Sequence, residues 1–505
     1  MGRMIRAACW TAAAACLLAT ACLMATAARA EDRYAPANYK PPKVANATPH
    51  LRIPFLPAAR DWERLDIYVP DKPDGPLPCI ILFYGGGWGG KAGGFNSAVQ
   101  PLLDAGYVVA VPDYVLGAQH PVPMAVWDGA AAIRFLRANA GKYRIDPERM
   151  GCWGFSAGGW LAQHLCPSDS ASLFNLAFDS SRGRTTGLLP YIEPRPERPD
   201  QPLRLQAWAT DWGAGVIEKR TLHDPPARRP GEVIEHLLRP WLTPDDPPMF
   251  TCHNGAADAL SEGAQRYRAA GASVESAFLD IANLHVPAPS TPAVDARGRK
   301  TTWQAANIDF FDRHVKNPTR ATAPEFDPAG VPISAPIEVR ILCVHPAAKV
   351  HYTLDGTAPT AASPLAGGPV RVEPGQTLKA IALVNALGPS AVAVAEYPRT
   401  VVAAPRIGNL AREHIGKVGE PFTLDIPADR AAGDRWFLAG KFVQPKDEDA
   451  PRKQFEPWLR IDPATGRLIG TPASAGVNVL IVAVNRPSGE RTLVDAVGLI
   501  ITVKE

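Results

Sequence analysis

Between Leu65 and Val315, short apolar runs alternate with longer segments in which apolar residues recur every three or four positions. The short runs are typical of buried strands, and the longer spacing is typical of helices that pack one face. Strands that alternate with helices predict a mainly parallel sheet covered on both faces. The predicted strands are Leu65–Val69, Cys79–Tyr84, Tyr107–Val111, Met150–Gly154, Leu203–Ala209, Met249–His253 and Val274–Ile281. The predicted helices are Ala125–Ala138, Ser156–Leu165, Leu260–Ala270 and Trp303–Val315.

The pattern changes after a proline-rich stretch, which we interpret as a semi-rigid linker at 318–332. Short alternating runs separated by turn residues follow it, as in small antiparallel sandwiches. We therefore predict an α/β domain at 31–317, with two small all-β sandwich domains at 333–400 and 401–505. Each sandwich has enough strand for its own core, so a chain ending near Pro318 is expected to fold without them.

The first 30 residues have the character of a targeting segment. Arg3 and Arg6 precede an apolar run, and the small residues Ala28 and Ala30 close it. This order is typical of a secretory signal peptide, so we predict that 1–30 is removed and that the mature protein is exported, either periplasmic or secreted. An uncleaved membrane anchor and a lipid anchor on Cys22 are the alternatives. No later stretch is long and apolar enough to span a bilayer.

Composition and charge exclude several classes. With 46% hydrophobic residues, and with 52 Pro and 42 Gly among 505 residues, the chain is globular rather than disordered. Removal of Arg3, Arg6 and Arg29 from 53 basic residues leaves 50, against 50 acidic residues. A mature chain with no basic excess and no basic cluster is not expected to bind nucleic acid.

The cysteines and histidines give no sign of a metal site. There is no CxxC pair and no HExxH spacing, so neither a metal nor another cofactor is predicted. Five cysteines remain after the signal segment, an odd number, and most lie in apolar runs, which is typical of buried free thiols. They are Cys79, Cys152, Cys166, Cys252 and Cys343.

A glycine-flanked serine lies where a predicted strand gives way to a predicted helix. The segment is Gly154-Phe155-Ser156-Ala157-Gly158. A serine on such a turn adopts a strained backbone, and small neighbours allow the turn to close with the hydroxyl pointing outward. We predict that Ser156 is a nucleophile. A glycine-rich structural turn is the alternative interpretation.

A second glycine run supplies candidates for an oxyanion hole. Strand Cys79–Tyr84 continues into Gly85-Gly86-Gly87-Trp88. Three glycines after a strand can turn backbone N–H groups towards a developing oxyanion. We predict that the N–H groups of Gly86, Gly87 and Ala157 form the oxyanion hole.

An acid and a base follow the serine along the chain. Asp258 comes after strand Met249–His253, and His285 comes after strand Val274–Ile281, so both can return to the edge of Ser156. We predict Asp258 and His285 as the triad partners. The alternatives are Asp211 for the acid and His314 for the base, while His253 is expected to stay in its strand.

Over residues 50–316 the sequence resembles the α/β-hydrolase superfamily, in particular carboxylesterases of the hormone-sensitive-lipase and bacterial feruloyl/acetyl-xylan-esterase type. Two positions depart from the pattern of that family, because Tyr84 and Asn254 stand where many members have histidine. The resemblance implies a Ser-His-Asp triad and hydrolysis of an acyl ester. It rests on Tyr84–Trp88, Asp113-Tyr114 with His120-Pro121, Asp128 before Ile145-Asp146-Pro147, the Ser156 motif, and Asn254–Asp258.

The two β regions have resemblances of their own. The segments His351–Thr360 and Leu378–Ala382 look like the chitobiase/hexosaminidase C-terminal β-sandwich module. The segment Leu459–Pro472 looks like an immunoglobulin-like module of secreted bacterial proteins. Asp355 and Asp462 are explained by turn chemistry rather than by calcium binding.

Three functions compete for this sequence. The first is an exported serine carboxylesterase acting on acyl esters of carbohydrates or small alcohols, with possible polysaccharide or cell-surface contact through the C-terminal modules. The second is a serine peptidase of prolyl-oligopeptidase type, which usually has a β-propeller that the short segment before Leu65 cannot supply. The third is a non-catalytic adhesion or surface protein, which an intact Ser/Asp/His set disfavours.

Overall fold

The computed structural model describes most of the chain from residue 40 to residue 505. The described residues are 40–56, 63–71, 74–86, 91, 95–114, 122–166, 178–179, 184–185, 200–211, 242–254, 262–281, 287–328, 330, 333–399, 406–408, 410–411, 413–429, 431, 433–442, 458–488 and 491–505.

The first part of the chain alternates strands and helices. Its strands are β1 (Ala47–Pro54), β2 (Arg64–Pro70), β3 (Leu77–Phe83), β4 (Val108–Pro112), β5 (Ile145–Phe155), β6 (Phe178–Asp179), β7 (Arg184–Thr185), β8 (Ala207–Asp211), β9 (Met249–His253), β10 (Val274–Phe278), β11 (Pro292–Val294) and β12 (Lys300–Thr302). Its helices are α1 (Asn96–Asp104), α2 (Val122–Ala138), α3 (Ala157–Leu165), α4 (Glu262–Ala269) and α5 (Trp303–Phe311), with a 3₁₀ turn at Ala140–Tyr143 and a π-helical turn at Asp312–Lys316.

Ten of these described strands form one sheet, in the order β1-β2-β4-β3-β5-β8-β9-β10-β11-β12. The six central strands, from β4 to β10, run parallel, and antiparallel strands close both edges. Strands β3, β4 and β9 and the second half of β5 are buried along almost their whole length, which is why they read as apolar runs in the sequence. The predicted mainly parallel α/β sheet is confirmed.

Strand β1 and helix α1 are among the elements that were not predicted, and both contain proline. Strand β1 contains Pro49 and Pro54, which an edge strand tolerates because one side of its backbone makes no ladder hydrogen bonds. Helix α1 contains Pro101, whose missing N–H leaves the carbonyl of Ser97 without its helical donor. The Gln304 side-chain amide donates to that carbonyl at 2.8 Å, so a contact from α5 satisfies the interrupted helix.

The remaining strands build small β sheets. They are β13 (Glu325–Asp327), β14 (Ile337–Leu342), β15 (Lys349–Thr353), β16 (Val370–Val372), β17 (Gln376–Leu383), β18 (Ala393–Tyr397), β19 (Arg406–Ile407), β20 (Glu413–Lys417), β21 (Phe422–Leu424), β22 (Ala428–Asp429), β23 (Arg435–Phe442), β24 (Leu459–Ile461), β25 (Leu468–Gly470), β26 (Gly476–Ser488) and β27 (Arg491–Lys504).

These strands form two groups, as expected for two small β modules. In the first group, the antiparallel sheets β13-β14-β16 and β15-β17-β18 share a core that includes Phe326, Leu378 and Tyr397. In the second group, the sheets β20-β27-β26-β23 and β21-β25-β24 accompany the two-stranded pair β19-β22. Its long hairpin β26–β27 pairs Gly476 with Val503 at one end and Ser488 with Arg491 at the other. The predicted all-β C-terminal region is confirmed.

Part of the proline-rich segment 318–332 is built into the fold. Strand β13 lies in it and pairs with β14. The Glu325 carboxylate is 1% exposed and accepts backbone hydrogen bonds from Leu203 at 3.0 Å and Arg204 at 3.1 Å, just before β8. Burial lowers the pKa of the Arg137 guanidinium to about 10, and the negative charge of Glu325 acts in the opposite direction. The segment therefore joins the α/β part to the first β module rather than only spacing them.

We expect a chain ending after residue 317 to be less stable than one ending after residue 400. The shorter chain loses Glu325 and leaves two buried N–H groups and Arg137 without this carboxylate, which costs about 2 kcal/mol or more. Thermal unfolding of the two truncated proteins measures the difference.

Single substitutions separate this contact from the loss of a whole module. In the full chain, Glu325→Gln should lower the unfolding temperature, because the amide of glutamine presents a donor to one of the two N–H groups. Glu338→Gln, on the exposed face of neighbouring β14, should leave it unchanged. Equal stability of Glu325→Gln and wild type would contradict the role of the carboxylate.

Candidate active site

Ser156 occupies a sharp turn between β5 and α3. Its backbone has φ 52° and ψ −116°, a left-handed φ that is rare for a residue with a side chain. It directly precedes the first residue of α3, and its carbonyl accepts the helical hydrogen bond of Trp160 at 3.0 Å. The predicted strand–turn–helix context of the serine is present, and strain of this kind is typical of nucleophile positions.

The glycines of the motif are required by close backbone contacts. A Cβ on Gly154 would overlap the carbonyl of Gly158 and lie 2.6 Å from the Cα of Gly159. A Cβ on Gly158 would collide with the carbonyl of Phe83 and lie 2.5 Å from that of Tyr84. The first turn of α3 thus packs directly on the end of β3, a contact that a larger residue would prevent.

The end of β3 lies against the serine turn. A Cβ on Gly85 would be 2.8 Å from both the Phe155 carbonyl oxygen and the Ser156 Cβ. The next residue, Gly86, is exposed and has φ 132°, a backbone conformation that side chains rarely allow. The structure therefore brings Gly85 to the serine and places Gly86 next to it in the chain. Gly87, the other predicted oxyanion donor of this loop, lies outside the described residues.

Ala157 is the first residue of α3. Backbone N–H groups in the first turn of a helix have no partner within the helix, and they carry the positive end of the helix dipole. The N–H of Ala157 belongs to this set, next to the Ser156 hydroxyl. The position suits the predicted role of an oxyanion donor.

Tyr84, one of the departures from the family pattern, is fully buried. Its ring stacks on Tyr114 with centroids 4.6 Å apart, and the Tyr114 hydroxyl donates to the Tyr84 carbonyl oxygen. Tyr84 therefore packs beneath the glycine loop.

The predicted triad partners Asp258 and His285 lie outside the described residues. The strands that precede them are described, and their register can be compared with that of Ser156. Phe155 pairs with Asp211 of β8, and Ala209 pairs with Phe250 of β9, which runs parallel to β10. Both β9 and β10 thus run in the direction of β5, and they end at His253 and Phe278. The assignment of Asp258 and His285 stays a prediction.

The alternative acid, Asp211, is the last residue of β8 and pairs with the residue before Ser156. Its backbone position is at the correct edge of the sheet. The choice between Asp211 and Asp258 is left open by this register.

His314, the alternative base, is held in an ion-pair network. Its Nε2 lies 2.7 Å from the Glu275 Oε1, and Arg313 donates to both oxygens of the same carboxylate at 2.7 and 2.8 Å. Burial raises the pKa of Glu275, but the hydrogen bonds from His314 and Arg313 outweigh it and lower that pKa to about 2. Glu275 pairs with Phe250, three residues before the end of β9, which is roughly 10 Å short of the edge. The contact of His314 with Glu275 therefore packs the π-helical turn Asp312–Lys316 against β10.

His253 ends β9 and packs on Phe278, with ring centroids 5.8 Å apart. Burial, helped by the charge of Arg268, lowers its pKa. By the register above, His253 lies level with Ser156, two strands away. A half-buried imidazole at this edge is a further candidate base, which the sequence analysis had assigned to the strand alone.

A group of buried charges beside the glycine loop was not predicted. We call Arg52, Asp66, Lys91 and Asp113 the charge cluster. Lys91 Nζ lies 2.9 Å from Asp113 Oδ1 and 3.9 Å from Asp66 Oδ2, and the Arg52 guanidinium contacts the other oxygen of Asp113. The only sequence signal for it was an aspartate inside the apolar run Leu65–Val69 and another directly after β4.

The five cysteines that the structure describes are free thiols. Cys79, Cys152, Cys166 and Cys252 are buried and Cys343 is half-buried, as the sequence analysis expected. Burial raises the pKa of Cys343 to about 11.

Within the part of the chain that the structure describes, no three His, Cys, Asp or Glu residues are grouped to hold a metal ion. No described helix has the length and apolar character of a membrane span.

Two family matches agree with the resemblances found in the sequence. Residues 65–185 match the BD-FAE family, which contains esterases of the hormone-sensitive-lipase-like type. Residues 328–394 match the chitobiase/beta-hexosaminidase C-terminal domain. The second match begins within the segment 318–332, at the residue after strand β13. Both resemblances are confirmed, whereas the likeness of 401–505 to an immunoglobulin-like module stays a prediction.

Individual relatives are esterases. The carboxylesterase NlhH of Mycobacterium tuberculosis is 34% identical over 97 residues, which is 18% of this chain and 30% of that protein. The esterase LipI of the same species is 28% identical over 243 residues, 45% of this chain and 72% of that protein. The chain spans less than a third of the relatives that it matches at 34% or 35% identity. These proteins are carboxylesterases of the α/β-hydrolase superfamily.

A solved structure described as a truncated form of a carbohydrate esterase from gut microbiota is also similar. It is 21% identical and has a TM-score of 0.44, covering 55% of this chain and 100% of its own.

Proposed function

We propose that this protein is an exported serine carboxylesterase that hydrolyses acyl esters of carbohydrates or small alcohols. The observation that carries the proposal is the strained backbone of Ser156, with φ 52° between β5 and α3, inside the segment that matches an esterase family. Strain of this kind costs about 1–3 kcal/mol and persists where the surrounding packing enforces it. Here Gly154, Gly158 and Gly85 supply that packing.

The proposed reaction has two halves. In the first, the Ser156 Oγ attacks the ester carbonyl carbon while His285 takes the hydroxyl proton, and a tetrahedral intermediate forms. The C–O bond to the alcohol then breaks, and the alcohol leaves with the proton from His285. In the second, water attacks the acyl-serine by the same route, which releases the acid and restores Ser156.

The remaining site residues would orient the imidazole and stabilise the charges that form during the reaction. Asp258 would accept a hydrogen bond from the imidazole and stabilise its protonated form. The N–H groups of Gly86, Gly87 and Ala157 would donate to the oxyanion of the intermediate. Donors fixed in place before the reaction stabilise that charge without reorganisation, and each is worth about 10²- to 10³-fold in kcat.

Two further observations support the proposed substrate class and the proposed export. The match of residues 328–394 to a chitobiase/beta-hexosaminidase domain favours a carbohydrate ester or contact with a polysaccharide surface. A binding module on the same chain raises the local concentration of substrate. The basic, apolar and small-residue order of residues 1–30 favours export.

A panel of substrates tests the proposal. We expect the purified protein to hydrolyse p-nitrophenyl acetate and acetylated sugars, and to leave prolyl-p-nitroanilides intact. A serine-directed fluorophosphonate should label Ser156, which peptide mass spectrometry locates. Cleavage of aminoacyl amides without ester cleavage would favour the peptidase alternative. Absence of both activities and of labelling would favour a non-catalytic surface protein.

A further inference from the structure

The charge cluster lies at the edge of the sheet where Ser156 lies. Ile81 pairs with Ala110 of β4, and Phe83 pairs with Gly154 of β5. By this register, Asp113 is level with Tyr84, and Gly85 is level with Ser156. The cluster is therefore beside the start of the glycine loop.

The cluster is built by specific backbone features. Arg52 has φ 57° at an irregularity in the pairing of β1 with β2, and its N–H donates to the Asp66 carboxylate at 2.9 Å. Asp113 directly follows β4, and its N–H donates to the Arg64 carbonyl at 2.8 Å. Both aspartates are almost fully buried, 3% exposed for Asp66 and 2% for Asp113. Within the charge cluster itself, two cations face two anions.

Lys91 links this cluster to the glycine loop. It follows Gly86 by five residues in the chain, and its ammonium lies over the ring of Tyr84, 5.0 Å from the centroid. Before the loop, Gly85 is pressed against Phe155 and Ser156. The chain is therefore held both just before Gly86 and at Lys91, which restricts the positions open to the Gly86 N–H.

The negative charges of Asp66 and Asp113 favour a cationic side chain at residue 91. Burial raises the pKa of Asp66 to about 6, and the charge of Lys91 acts in the opposite direction. Without Lys91, the buried carboxylates of Asp66 and Asp113 would lose one of their cationic partners, and breaking a buried ion pair leaves charge less well compensated. A neutral side chain at residue 91 would therefore lack the ion pairs that hold Lys91 in its position.

We propose that Lys91 is a positioning residue, whose ion pairs with Asp113 and Asp66 anchor the chain five residues after Gly86 so that the Gly86 N–H meets the oxyanion. This inference rests on the proposed esterase function. Since the oxyanion is absent from the bound substrate and develops in the transition state towards the tetrahedral intermediate, loss of Lys91 should lower kcat and leave KM nearly unchanged. A residue with a role in folding alone would lower the unfolding temperature and leave kcat of the folded fraction unchanged.

The test compares Lys91→Met with a matched lysine. Lys316 also lies over a tyrosine ring, 5.7 Å from the centroid of Tyr107, and near an aspartate, but at the opposite end of β4. With p-nitrophenyl acetate, we expect kcat of Lys91→Met to fall about 10- to 100-fold with KM within about 3-fold, because a donor is displaced rather than removed. Lys316→Met should keep the wild-type kcat and KM.

A transition-state analogue supplies a second measurement. An aryl trifluoromethyl ketone forms a tetrahedral oxyanion adduct with a nucleophilic serine, whereas the corresponding methyl ketone binds mainly as a ground-state ketone. For Lys91→Met, the inhibition constant of the fluorinated ketone should rise by about the factor lost in kcat. That of the methyl ketone should change little. Lys91→Arg, which keeps the charge, should recover most of both losses.

Several results would overturn the inference. One is a kcat of Lys91→Met within about 2-fold of wild type, and another is an equal loss in Lys316→Met. If Lys91→Met does not fold, the neutral but polar Lys91→Gln is compared with Lys316→Gln, and identical kcat values and ketone inhibition would count against the proposal. A wild type that is inactive on every ester would refute the esterase function itself, whereas an active wild type with an unaffected Lys91→Met refutes only the role of Lys91.

Discussion

Replacement of Ser156 by alanine should reduce kcat on a short aryl ester about 10⁴- to 10⁶-fold. The serine oxygen forms the bond to the acyl carbon in the proposed reaction, and alanine has no nucleophile to replace it. What remains is the contribution of substrate binding and of the oxyanion donors. Steady-state kinetics on p-nitrophenyl acetate and the loss of fluorophosphonate labelling measure the effect.

The fold should survive this substitution. Alanine keeps the Cβ that already tolerates φ 52°, and the Ser156 carbonyl that accepts from Trp160 is unchanged. The unfolding temperature of Ser156→Ala should therefore equal that of wild type. Ser97→Ala, on the exposed side of α1, is the matched control and should keep full activity. A folded Ser156→Ala with wild-type kcat would show that another residue is the nucleophile.

The serine turn could be predicted from sequence because local and long-range requirements coincide there. The strand before Ser156 is an apolar run, the helix after it begins at once, and each glycine sits where a backbone contact excludes a Cβ. One short stretch of sequence therefore contains the strand, the turn and the reason for the turn. The central parallel strands were predictable for a similar reason, since burial on both faces leaves them apolar throughout.

The charge cluster could not be predicted in this way. Arg52, Asp66, Lys91 and Asp113 come from four separate segments, and each taken alone reads as an ordinary surface charge. Their meeting depends on the strand order β1-β2-β4-β3, which puts β2 beside β4 and β4 beside β3, the strand that leads into the glycine loop. Glu325 is a similar case, because its partners at Leu203 and Arg204 are about 120 residues away.

Strand β1 and helix α1 were not predicted because their local sequence disfavours the structure that their tertiary contacts stabilise. Strand β1 contains prolines and one residue with positive φ, and α1 contains a proline in its interior. Local propensity argues against both elements. Pairing with β2 stabilises β1, and the hydrogen bond from Gln304 stabilises α1. Both contacts come from distant parts of the chain, so the local pattern does not reveal them.

Replacement of His285 by alanine should cost about as much as loss of the serine, roughly 10⁴- to 10⁶-fold in kcat. Members of a triad act as a unit, so a serine without its base remains protonated and unreactive. Three histidine variants compared in one assay locate the base: His285→Ala, His253→Ala and His314→Ala. The large loss should appear only in the first.

The two other histidines make the comparison decisive because the structure describes them. His314 is bound to Glu275 and lies short of the sheet edge, so His314→Ala should lower stability and leave kcat within about 3-fold of wild type. His253 lies level with Ser156 and has a lowered pKa, so it is neutral at pH 7 and able to accept a proton. If His253→Ala lost activity about 10⁴-fold while His285→Ala kept it, the base would be His253, and the acid would have to be sought on β8 at Asp211 rather than at Asp258.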